Sequence, residues 1–514
     1  MAHSDSPAVD GAFPGKEAEA KDMEADHDVE HGGADHVQLH DNHHQQREVS
    51  ALKALDLVKQ HDQHHPRYWP TRKRWAIISA YCLLQVFVTL TSTSYVSAET
   101  AIQAKFGGST QVVTLGQSMF IVGNAVGPAF LGPLSDIGGR KWVYVVSIAV
   151  YALLNIATAL ARNLPMLIVF QFLCGAAGST ALSNVAGTIA DLFADADNAA
   201  QPMGLFVASA NIGPSLGSPV GEWLSFYNPG SWRWIFWINV IIGGGFSVLM
   251  TLIPETLPRV VIARAAKGGE AVDPDEVVLA ETKVNVFQEI RFIFTMAIRI
   301  MFTEPAVIFL AIYNGFAYGL LFLYLDGVFD VFVDNNGLSY IGADLTYLNF
   351  VVGVTVMFCF LPVQTYLYKR DRERRGGKGR PEARFLVSLV TVWGFPLSLF
   401  WFAFTSDGNT SYWSPIVAGA VLGFADPLLY LGMLNYIADS YPNVAASAIA
   451  AFLIPSFTLA AAFAHIGIIM FANLGTTWAM ACLAFISLGI VALVYILYFF
   501  GPWLRKKSKL AKSF

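Results

Sequence analysis

Three ionisable residues lie inside long apolar stretches of the 514-residue chain, namely Asp326, Asp426 and His465. A charged side chain at the centre of a bilayer costs roughly 2.5–3.5 kcal/mol on insertion scales, so an ionisable residue at such a position marks a functional site by default. An apolar environment makes a carboxyl group bind protons more readily, and histidine titrates near neutral pH. We predict that Asp326 or Asp426 exchanges protons and that His465 shares this role. The alternative is that each residue is hydrogen-bonded in a helix interface.

The elements that carry these residues are predicted to be transmembrane helices. Hydrophobic residues make up 54% of the chain and charged residues only 14%, whereas soluble globular proteins are about 25% charged. One helical span needs about 20 mostly apolar residues, and backbone groups in hydrocarbon must be paired within the span, which favours helices over short alternating strands. Twelve windows meet this requirement, near 75–98, 112–133, 142–161, 164–187, 201–222, 233–254, 304–327, 341–365, 384–405, 413–437, 444–472 and 477–500.

The basic residues predict how these spans are oriented. With the N-terminus in the cytoplasm, 30 of the 33 lysines and arginines fall on the cytoplasmic side, as the positive-inside rule requires. Both termini are then cytoplasmic in a multi-pass protein of the plasma membrane, with the vacuolar membrane as an alternative. The triplet that begins at Asn409 becomes an exterior N-glycosylation site. Three acids near span ends are expected to be solvated: Glu99, Asp191 and Glu222.

The distribution of charge also divides the chain into segments. Residues 1–70 hold 14 of the 38 acidic residues and 10 of the 11 histidines, and their lack of large apolar residues predicts disorder. These histidines are able to bind metal, but a solvated tail without a metal site is the interpretation we favour. The predicted segments are a cytoplasmic tail at 1–70, a six-helix half at 71–254, a cytoplasmic central loop at 255–303, a second six-helix half at 304–500 and a basic cytoplasmic tail at 501–514.

Several classes of protein are excluded by what the sequence does not contain. A net charge of −5 argues against a nucleic-acid binder. The four cysteines form no spaced pairs, which argues against a disulfide framework or a zinc site. No G-x-x-x-x-G-K-[ST] loop for ATP occurs, and no spacing typical of a hydrolase or metalloprotease is visible. We therefore expect neither an enzyme nor a cofactor. The expected partners are lipid, protons and a small molecule, and the protein is expected to be monomeric.

The sharpest motif lies between the second and third spans, where residues 132–141 read G-P-L-S-D-I-G-G-R-K. Glycines allow a tight turn between packed helices, while Asp136 is able to cap a helix or to pair with Arg140 as a latch that two conformations form and break. The stretch closely resembles the signature loop of the major facilitator superfamily, G-x-L-a-D-r-x-G-r-K. The resemblance implies a conformational latch made of Gly132, Asp136, Gly139, Arg140 and Lys141.

A second motif lies in the fifth span, where residues 213–221 read G-P-S-L-G-S-P-V-G. Prolines interrupt the hydrogen bonds of a helix and small residues allow close contact, so we predict a bent, tightly packed helix. The stretch resembles the G-P-x-x-G-G motif of the proton-antiporting branch of the superfamily, with Ser218 in place of the last glycine. Where that branch has an arginine in the fourth span, this chain has Gln171. The residues assigned to this antiporter-type helix are Gly213, Pro214, Gly217, Pro219 and Gly221.

Further stretches resemble fungal drug:proton antiporters with twelve spans, and the likeness extends from about Trp69 to Lys509. It implies an all-α polytopic membrane protein with the major facilitator fold. These stretches are 232–237, 254–256, 313–319, 434–442, 445–448, 473–475 and 478–479.

The substrate is expected to meet polar and aromatic residues that face a central cavity between the halves. A pocket with aromatic walls suits varied amphiphilic compounds, and an acidic residue in it favours cations. The candidates are Asn184, Asn211, Tyr313, Asn314, Tyr318, Asn435 and Tyr436.

Together these features predict a proton-coupled exporter of small organic compounds, such as drugs, toxins or secondary metabolites, that works by alternating access. Two alternatives stay open. One is a transporter of the same fold that imports a polyamine, an organic acid or another nutrient. The other is a membrane sensor that transports nothing and signals through its long N-terminal tail.

Overall fold

The computed structural model describes residues 65–193, 196–227, 231–267, 286–377, 379–508 and 510–511. All of them belong to one compact unit, Gln60–Phe514. The predicted tail up to residue 64 lies outside the described residues, as do residues 268–285 of the predicted central loop.

The described residues are almost entirely helical and contain no β-strand. A π-helical turn, Asp330–Asn335, extends one of the helices. The α-helices are α1 (Thr71–Ser94), α2 (Glu99–Phe106), α3 (Thr110–Val126), α4 (Pro128–Gly138), α5 (Arg140–Ala159), α6 (Leu164–Gly178), α7 (Thr180–Leu192), α8 (Ala196–Tyr227), α9 (Arg233–Leu252), α10 (Pro258–Lys267), α11 (Val286–Thr303), α12 (Pro305–Phe329), α13 (Tyr340–Leu345), α14 (Leu348–Arg374), α15 (Ser388–Thr391), α16 (Gly394–Thr405), α17 (Trp413–Ser440) and α18 (Ala445–Lys507).

These helices form twelve spans within the part of the chain that the structure describes. Ten helical stretches, some of which join two of these helices end to end, are long and apolar enough to cross a membrane. The last of them, α18, has 63 residues and would measure about 95 Å if it were straight, so it must cross twice. It turns at Gly475, whose φ of 70° and ψ of 166° are not helical. The remaining span is α8, the fifth in chain order, which is not among the ten stretches. It has 32 residues and three prolines. The fold is therefore the predicted one, with two six-helix halves.

Because consecutive spans alternate in direction, the connections lie at two ends of the bundle. We call the end that holds Arg140 and Arg384 the basic end, and the end that holds Gly475 the distal end. Within the first half, α1 packs on α8, α3 on α6 and α5 on α9. Within the second half, α12 packs on α18 and α14 on α17. The halves meet where α3 contacts α18 and where α8 contacts α14.

Large apolar side chains cover the outside of the bundle. Leu153 is 64% exposed, Val248 66% and Phe485 63%. A water-soluble protein rarely exposes so much contiguous apolar surface, whereas hydrocarbon solvates it at no cost. The polar residues instead lie between the helices, where the candidate site is found.

Candidate transport site

A narrow chamber lies between the two halves, near the middle of the spans. Helices α1, α3, α7 and α8 of the first half and α12, α17 and α18 of the second half supply its wall. Its lining combines amides, a carboxyl group and aromatic rings rather than purely apolar side chains. The lining residues are Gln85, Val88, Thr89, Asn124, Leu182, Ala210, Asn211, Asn314, Tyr318, Asp426, Tyr430 and Phe457.

The chamber is contracted in this conformation. The centre of a water molecule can occupy only about 30 Å³ of it, which is far less than the 300–1,000 Å³ typical of sites for drug-sized ligands. A second small cavity adjoins it and shares Asn211 and Asp426, while Ser215 and Phe350 lie on its far side. A drug-sized molecule therefore does not fit in the chamber unless its walls move apart.

Asp426 is the acidic residue of the chamber. It lies in α17, directly before Pro427, and its side chain borders both adjoining cavities. Among the described residues, no hydrogen-bond or salt-bridge partner of its carboxyl group is found, and no lysine, arginine or histidine lines either cavity. The residue is half-buried, and a charge that is withdrawn from water without a partner is costly. This carboxyl group is therefore suited to bind a proton or a cationic ligand.

Amide and aromatic groups surround this acid. Gln85 is 1% exposed, and its Oε1 has no hydrogen-bond partner among the described residues. Asn211 donates through Nδ2 to the Val207 carbonyl oxygen at 3.0 Å, which leaves its own oxygen for the cavity. The Tyr318 ring packs edge-on against Phe457 at a centroid distance of 5.0 Å. These groups offer hydrogen bonds and a flat aromatic surface to a ligand.

Not every predicted cavity residue faces this chamber. Asn211, Asn314 and Tyr318 line it, and Asn435 lines a separate small cavity nearer the basic end. The expectation has to be corrected for three residues that lie elsewhere. Asn184 accepts a hydrogen bond from Ser135, Tyr313 packs against Phe395, and Tyr436 packs against Phe385.

The other two predicted proton-exchange residues have different positions. Asp326 lies in α12, but its side chain is outside the described part of the structure. His465 does not line the chamber, because it lies where α18 meets α3. Its Nδ1 is 2.7 Å from Gln111 Oε1, and Gln111 Nε2 donates to the His465 carbonyl oxygen at 3.2 Å. His465 thus holds the two halves together on the distal side.

At the basic end the halves are separated by a cleft. The centre of a water molecule can occupy about 560 Å³ of this cleft, so it is much wider than the chamber. The two halves are in contact at the distal end and apart at the basic end. The structure therefore represents a conformation intermediate between an occluded state and a state that is open at the basic end. The cleft is lined by Thr71, Arg74, Trp75, Phe193, Asn198, Gln201, Pro362, Thr365, Tyr366 and Lys369.

The predicted latch is an ion-pair network around Arg140. Its Nη1 lies 2.7 Å from Asp136 Oδ1, as the sequence suggested, and also donates to Ser135 Oγ at 2.9 Å. Its Nε donates to Asp191 Oδ2 at 2.9 Å. The side chain of Asp191 is only 15% exposed, so the expectation of a solvated Asp191 is wrong. Two acids from the ends of spans two and four therefore neutralise one buried guanidinium group.

Glu255 completes this end of the first half. Its carboxylate accepts hydrogen bonds from the backbone N–H groups of Arg140 at 2.9 Å and Lys141 at 3.2 Å, so it neutralises the start of α5. Gly139 has a φ of 98°, and a Cβ atom there would lie 2.6 Å from Glu255 Oε2. Glycine is required at this position for both conformation and space. Gly132, by contrast, has open space around it.

The small residues of span five pack against span one. A Cβ atom on Gly213 would lie 2.6 Å from the Val86 carbonyl oxygen, and one on Gly217 would overlap Thr93. The Thr93 hydroxyl donates to the Pro214 carbonyl oxygen at 2.8 Å. The motif therefore joins two helices of the same half, while the opposite side of α8 meets α14 of the other half.

The family profile described as Major Facilitator Superfamily matches residues 81–465, which is well over half of the chain. The chain belongs to the major facilitator superfamily. It is a multi-pass membrane transporter rather than an enzyme, and such a protein binds small molecules within a lipid bilayer.

Two relatives come from the yeast Schizosaccharomyces pombe (strain 972). One, named an uncharacterized transporter, is 50% identical over 459 residues, which are 89% of this chain and 84% of the relative. The other, named a vitamin B6 transporter, is 42% identical over 456 residues, which are 88% of this chain and 86% of the relative.

A solved structure shows the same fold. The proton:xylose symporter XylE bound to 6-bromo-6-deoxy-D-glucose matches with a TM-score of 0.60 and 15% identity, over 84% of this chain and 97% of that chain. At this identity the likeness shows the major facilitator fold alone.

One position of this major facilitator protein is unusual. Gln171, in α6, stands where the antiporter-type resemblance would place an arginine, and it is fully buried. Neither its Oε1 nor its Nε2 has a partner among the described residues, and it does not line the chamber. A neutral amide thus stands at the position in span four where the resemblance would place a cation.

Sequence reasoning missed the ion pairs at the basic end of the second half. Arg384 Nε donates to Asp439 Oδ2 at 2.8 Å, and Arg505 makes two hydrogen bonds to Glu382, at 2.8 and 2.9 Å. The closely spaced residues Glu382 and Arg384 before the ninth span were the available signal. The second half therefore has its own charged network, in the place that corresponds to the latch.

Glu304 accepts two further hydrogen bonds at the basic end of the second half. The Tyr441 hydroxyl donates to Glu304 Oε2 at 2.9 Å. Burial, and then the negative charge of Glu304, raises the pKa of Tyr441, so the phenol keeps its proton and remains the donor. Ser508 Oγ donates to Glu304 Oε1 at 2.6 Å. The C-terminal end of α18 is thereby attached to the start of span seven.

Proposed function

We propose that this transporter is a proton-coupled antiporter that exports small organic compounds carrying a basic nitrogen. Asp426 is the observation that carries the proposal, because it is the one carboxyl group among the described residues lining the chamber. In this proposal the protein lies in the plasma membrane, has both termini in the cytoplasm and acts as a monomer. Its rocking halves are the segments 71–254 and 304–500, joined by the segment 255–303.

Antiport follows from competition for one carboxyl group. A cationic ligand binds the ionised form of Asp426, whereas a proton neutralises it and removes the attraction. Since none of the described residues that line the chamber is basic, none of them compensates the negative charge. Proton and substrate then exclude each other, and each crosses with a different conformation of the halves. An inward proton gradient therefore drives the compound outward.

The rest of the lining supports a ligand with an aromatic ring. Tyr318, Tyr430 and Phe457 offer faces and edges for stacking and for cation–π contact. Gln85 and Asn211 offer hydrogen bonds without fixing a single pose. The absence of a cation among the described lining residues disfavours phosphorylated or other anionic compounds.

Uptake of a pyridine-type vitamin is the second candidate. The relative that is 42% identical over 88% of this chain is named a vitamin B6 transporter. A pyridine ring with hydroxyl groups combines an aromatic face, a basic nitrogen and hydrogen-bonding groups, which suits the same lining. In this case proton and substrate travel together, so Asp426 and the ligand would bind in one conformation instead of competing.

Purified protein in liposomes with an imposed pH gradient tests both candidates. The probes are rhodamine 6G, a fixed aromatic cation, and tritiated pyridoxine. Under antiport a probe accumulates when the lumen is acidic, because protons leave as the probe enters. Under symport it accumulates when the lumen is alkaline. Each sign holds for either orientation of the protein in the bilayer.

Asp426→Asn should lower gradient-driven accumulation at least about tenfold, which corresponds to about 1.4 kcal/mol. Asp407→Asn, in an exposed loop, is the matched control and should transport like the unaltered protein. Liposomes without protein correct for passive trapping. If uptake of both probes ignores the direction of the gradient, proton coupling is wrong, and a response of Asp426→Asn equal to the control would refute the role of Asp426.

A further inference from the structure

We propose that Asp344 is a second proton-binding site, at the distal end, and that a proton bound there allows the two halves to close. The inference rests on the proposed proton coupling and adds to it a site outside the chamber. Asp344 lies in α13, at the distal start of span eight, and does not line either central cavity.

The side chain of Asp344 is enclosed between the halves. The residue is 0% exposed. Its Oδ1 accepts a hydrogen bond from Ser218 Oγ at 2.6 Å, and this bond joins span five of the first half to span eight of the second. Its Oδ2 is buried and has no partner among the described residues. One oxygen is therefore available for a proton.

The charges around Asp344 oppose an ionised carboxylate. Glu222, one turn beyond Ser218 in α8, acts on it with a negative charge. On the other elements packed against α13, Asp334 of the π-helical turn is exposed. Tyr324 of α12 accepts a hydrogen bond from Asn349 instead. No described lysine or arginine forms an ion pair with Asp344. Because an unpaired buried charge is costly, the closed arrangement requires a proton on this carboxyl group.

The contact depends on the residue type at position 218. It occupies the position at which the antiporter-type motif has its last glycine, and a glycine has no hydroxyl group to donate. A serine here costs the packing of span five nothing visible, since its side chain is directed to the other half. The residue that departs from the motif is thus the one that donates a hydrogen bond to the buried acid.

The cycle then has a defined order at the distal end. When the distal contacts separate, Asp344 meets water and releases its proton to that compartment. It has to bind a proton from the same compartment before it can be buried again. Protonation lets Asp344 return to its buried position against Ser218 and the end closes. Acidification therefore favours the closed distal end. If one proton is linked to closure, the ratio of closed to open molecules changes by at most about tenfold per pH unit.

Distance measurement between spin labels on purified full-length protein tests this inference. Labels are attached at Lys105→Cys in the first half and Asp334→Cys in the second, both exposed at the distal end. The exposed native cysteines, Cys359 and Cys482, are replaced by serine. Distances are recorded in a series of buffers from acidic to alkaline.

We expect the fraction of long distances to rise with pH in the labelled parent protein. Asp344→Asn should keep the short distance at every pH, because it cannot ionise. Ser218→Ala should still open as the pH rises, but at each pH a larger fraction of the molecules should show the long distance than in the labelled parent protein. If Asp344→Asn is poorly folded by size-exclusion chromatography, Ser218→Ala still tests the contact, and an unchanged pH profile in that variant would overturn the proposal.

Two further variants separate this site from the other titratable groups. Asp426→Asn should retain the pH dependence of the distances, whereas His465→Asn should shift the balance towards the open form without removing the slope. If His465→Asn removes the slope while Asp344→Asn does not, Asp344 is not the proton site. Failure of proton-driven transport in liposomes would remove the proposed function but would leave this distance response, so the two failures are distinguishable.

Discussion

Ser118 Oγ lies 2.9 Å from His465 Nε2, and this hydrogen bond connects span two of the first half to span eleven of the second. The same serine lies 3.2 Å from the Ala461 carbonyl oxygen. Since Gln111 also bonds to His465, this residue joins several polar groups across the interface. The distal end is therefore closed by specific polar contacts between the two halves.

His465→Ala should weaken this closure. Each hydrogen bond contributes about 1 kcal/mol, so losing two should make opening of the distal end about tenfold to thirtyfold more frequent. Hydrogen–deuterium exchange of the amides in the distal parts of spans two and eleven measures this directly. The matched control is Asn473→Ala, at an exposed position nearer the distal end of the same span. Equal exchange in both variants would contradict the prediction.

The two acids of the latch should differ in importance. Asp136 is 52% exposed and Asp191 15% exposed, while Arg140 between them is buried. Removing a partner of a buried charge costs about 3–5 kcal/mol, whereas an exposed pair is worth about 1 kcal/mol or less. Asp191→Asn should therefore lower the melting temperature much more than Asp136→Asn. Thermal unfolding of the two purified variants, compared side by side, decides this.

Asp136→Asn should instead affect the rate of transport. The exposed pair with Arg140 is suited to form and break as the halves move, so its loss should slow turnover at normal surface expression. Transport measured in liposomes with equal amounts of protein is the test. A turnover equal to that of the unaltered protein would show that Asp136 has no part in the conformational cycle.

Two glycines of the signature regions should respond in opposite ways to alanine. A Cβ atom on Gly213 would press against the Val86 carbonyl oxygen and Thr89, and overpacking of this kind costs about 1–3 kcal/mol. Gly132 lies inside α4 with no atom within 4 Å of such a Cβ, so Gly132→Ala should be neutral or stabilising by about 0.5–1 kcal/mol. Melting temperatures in the same detergent compare the two, and a larger loss for Gly132→Ala would refute the packing argument.

The number of spans could be predicted from the sequence because hydrocarbon imposes a length and a composition on each helix. Span five shows the limit of hydropathy alone: α8 is interrupted by small polar residues and by Pro202, Pro214 and Pro219. Its window at 201–222 still met the requirement for a span, and the motif then predicted that the helix is bent and tightly packed. The boundary at Gly475 was also visible, since glycine and a short polar step separate two apolar windows.

The orientation of side chains around each helix could not be predicted with the same success. Asn314 and Tyr313 are adjacent, yet Asn314 lines the chamber and Tyr313 packs against a neighbouring helix. A helix advances about 100° per residue, so an error of one position changes the direction a side chain faces. An apolar span gives little amphipathic signal to fix that direction, because lipid and protein neighbours are both apolar.

Long-range ion pairs were equally invisible in the sequence. Arg140 pairs with Asp136, which lies four residues earlier as the spacing suggested, but also with Asp191. Its backbone N–H donates to Glu255, which is more distant still. Only the arrangement of spans three, four and six brings these groups together. The same holds for Asp344 and Ser218, which are in different halves.

The ion pair between Glu382 and Arg505 should behave as a buried pair. Glu382 is 0% exposed and accepts both hydrogen bonds of the guanidinium group. Glu382→Gln should destabilise the protein by about 3–5 kcal/mol, whereas the double replacement Glu382→Met with Arg505→Met should recover most of the loss. Thermal unfolding of the single and double variants measures this, and additive losses would contradict it.

The turn at Gly475 has a consequence for the membrane around the protein. Because a single residue joins spans eleven and twelve, these two helices form a stiff hairpin with no slack between them. Any displacement of His465 away from Ser118 also pushes span twelve, with its exposed Phe485 and Trp478, sideways through the acyl chains. We therefore expect the work of opening to be shared between protein contacts and bilayer deformation, so that turnover depends on the thickness and fluidity of the lipid.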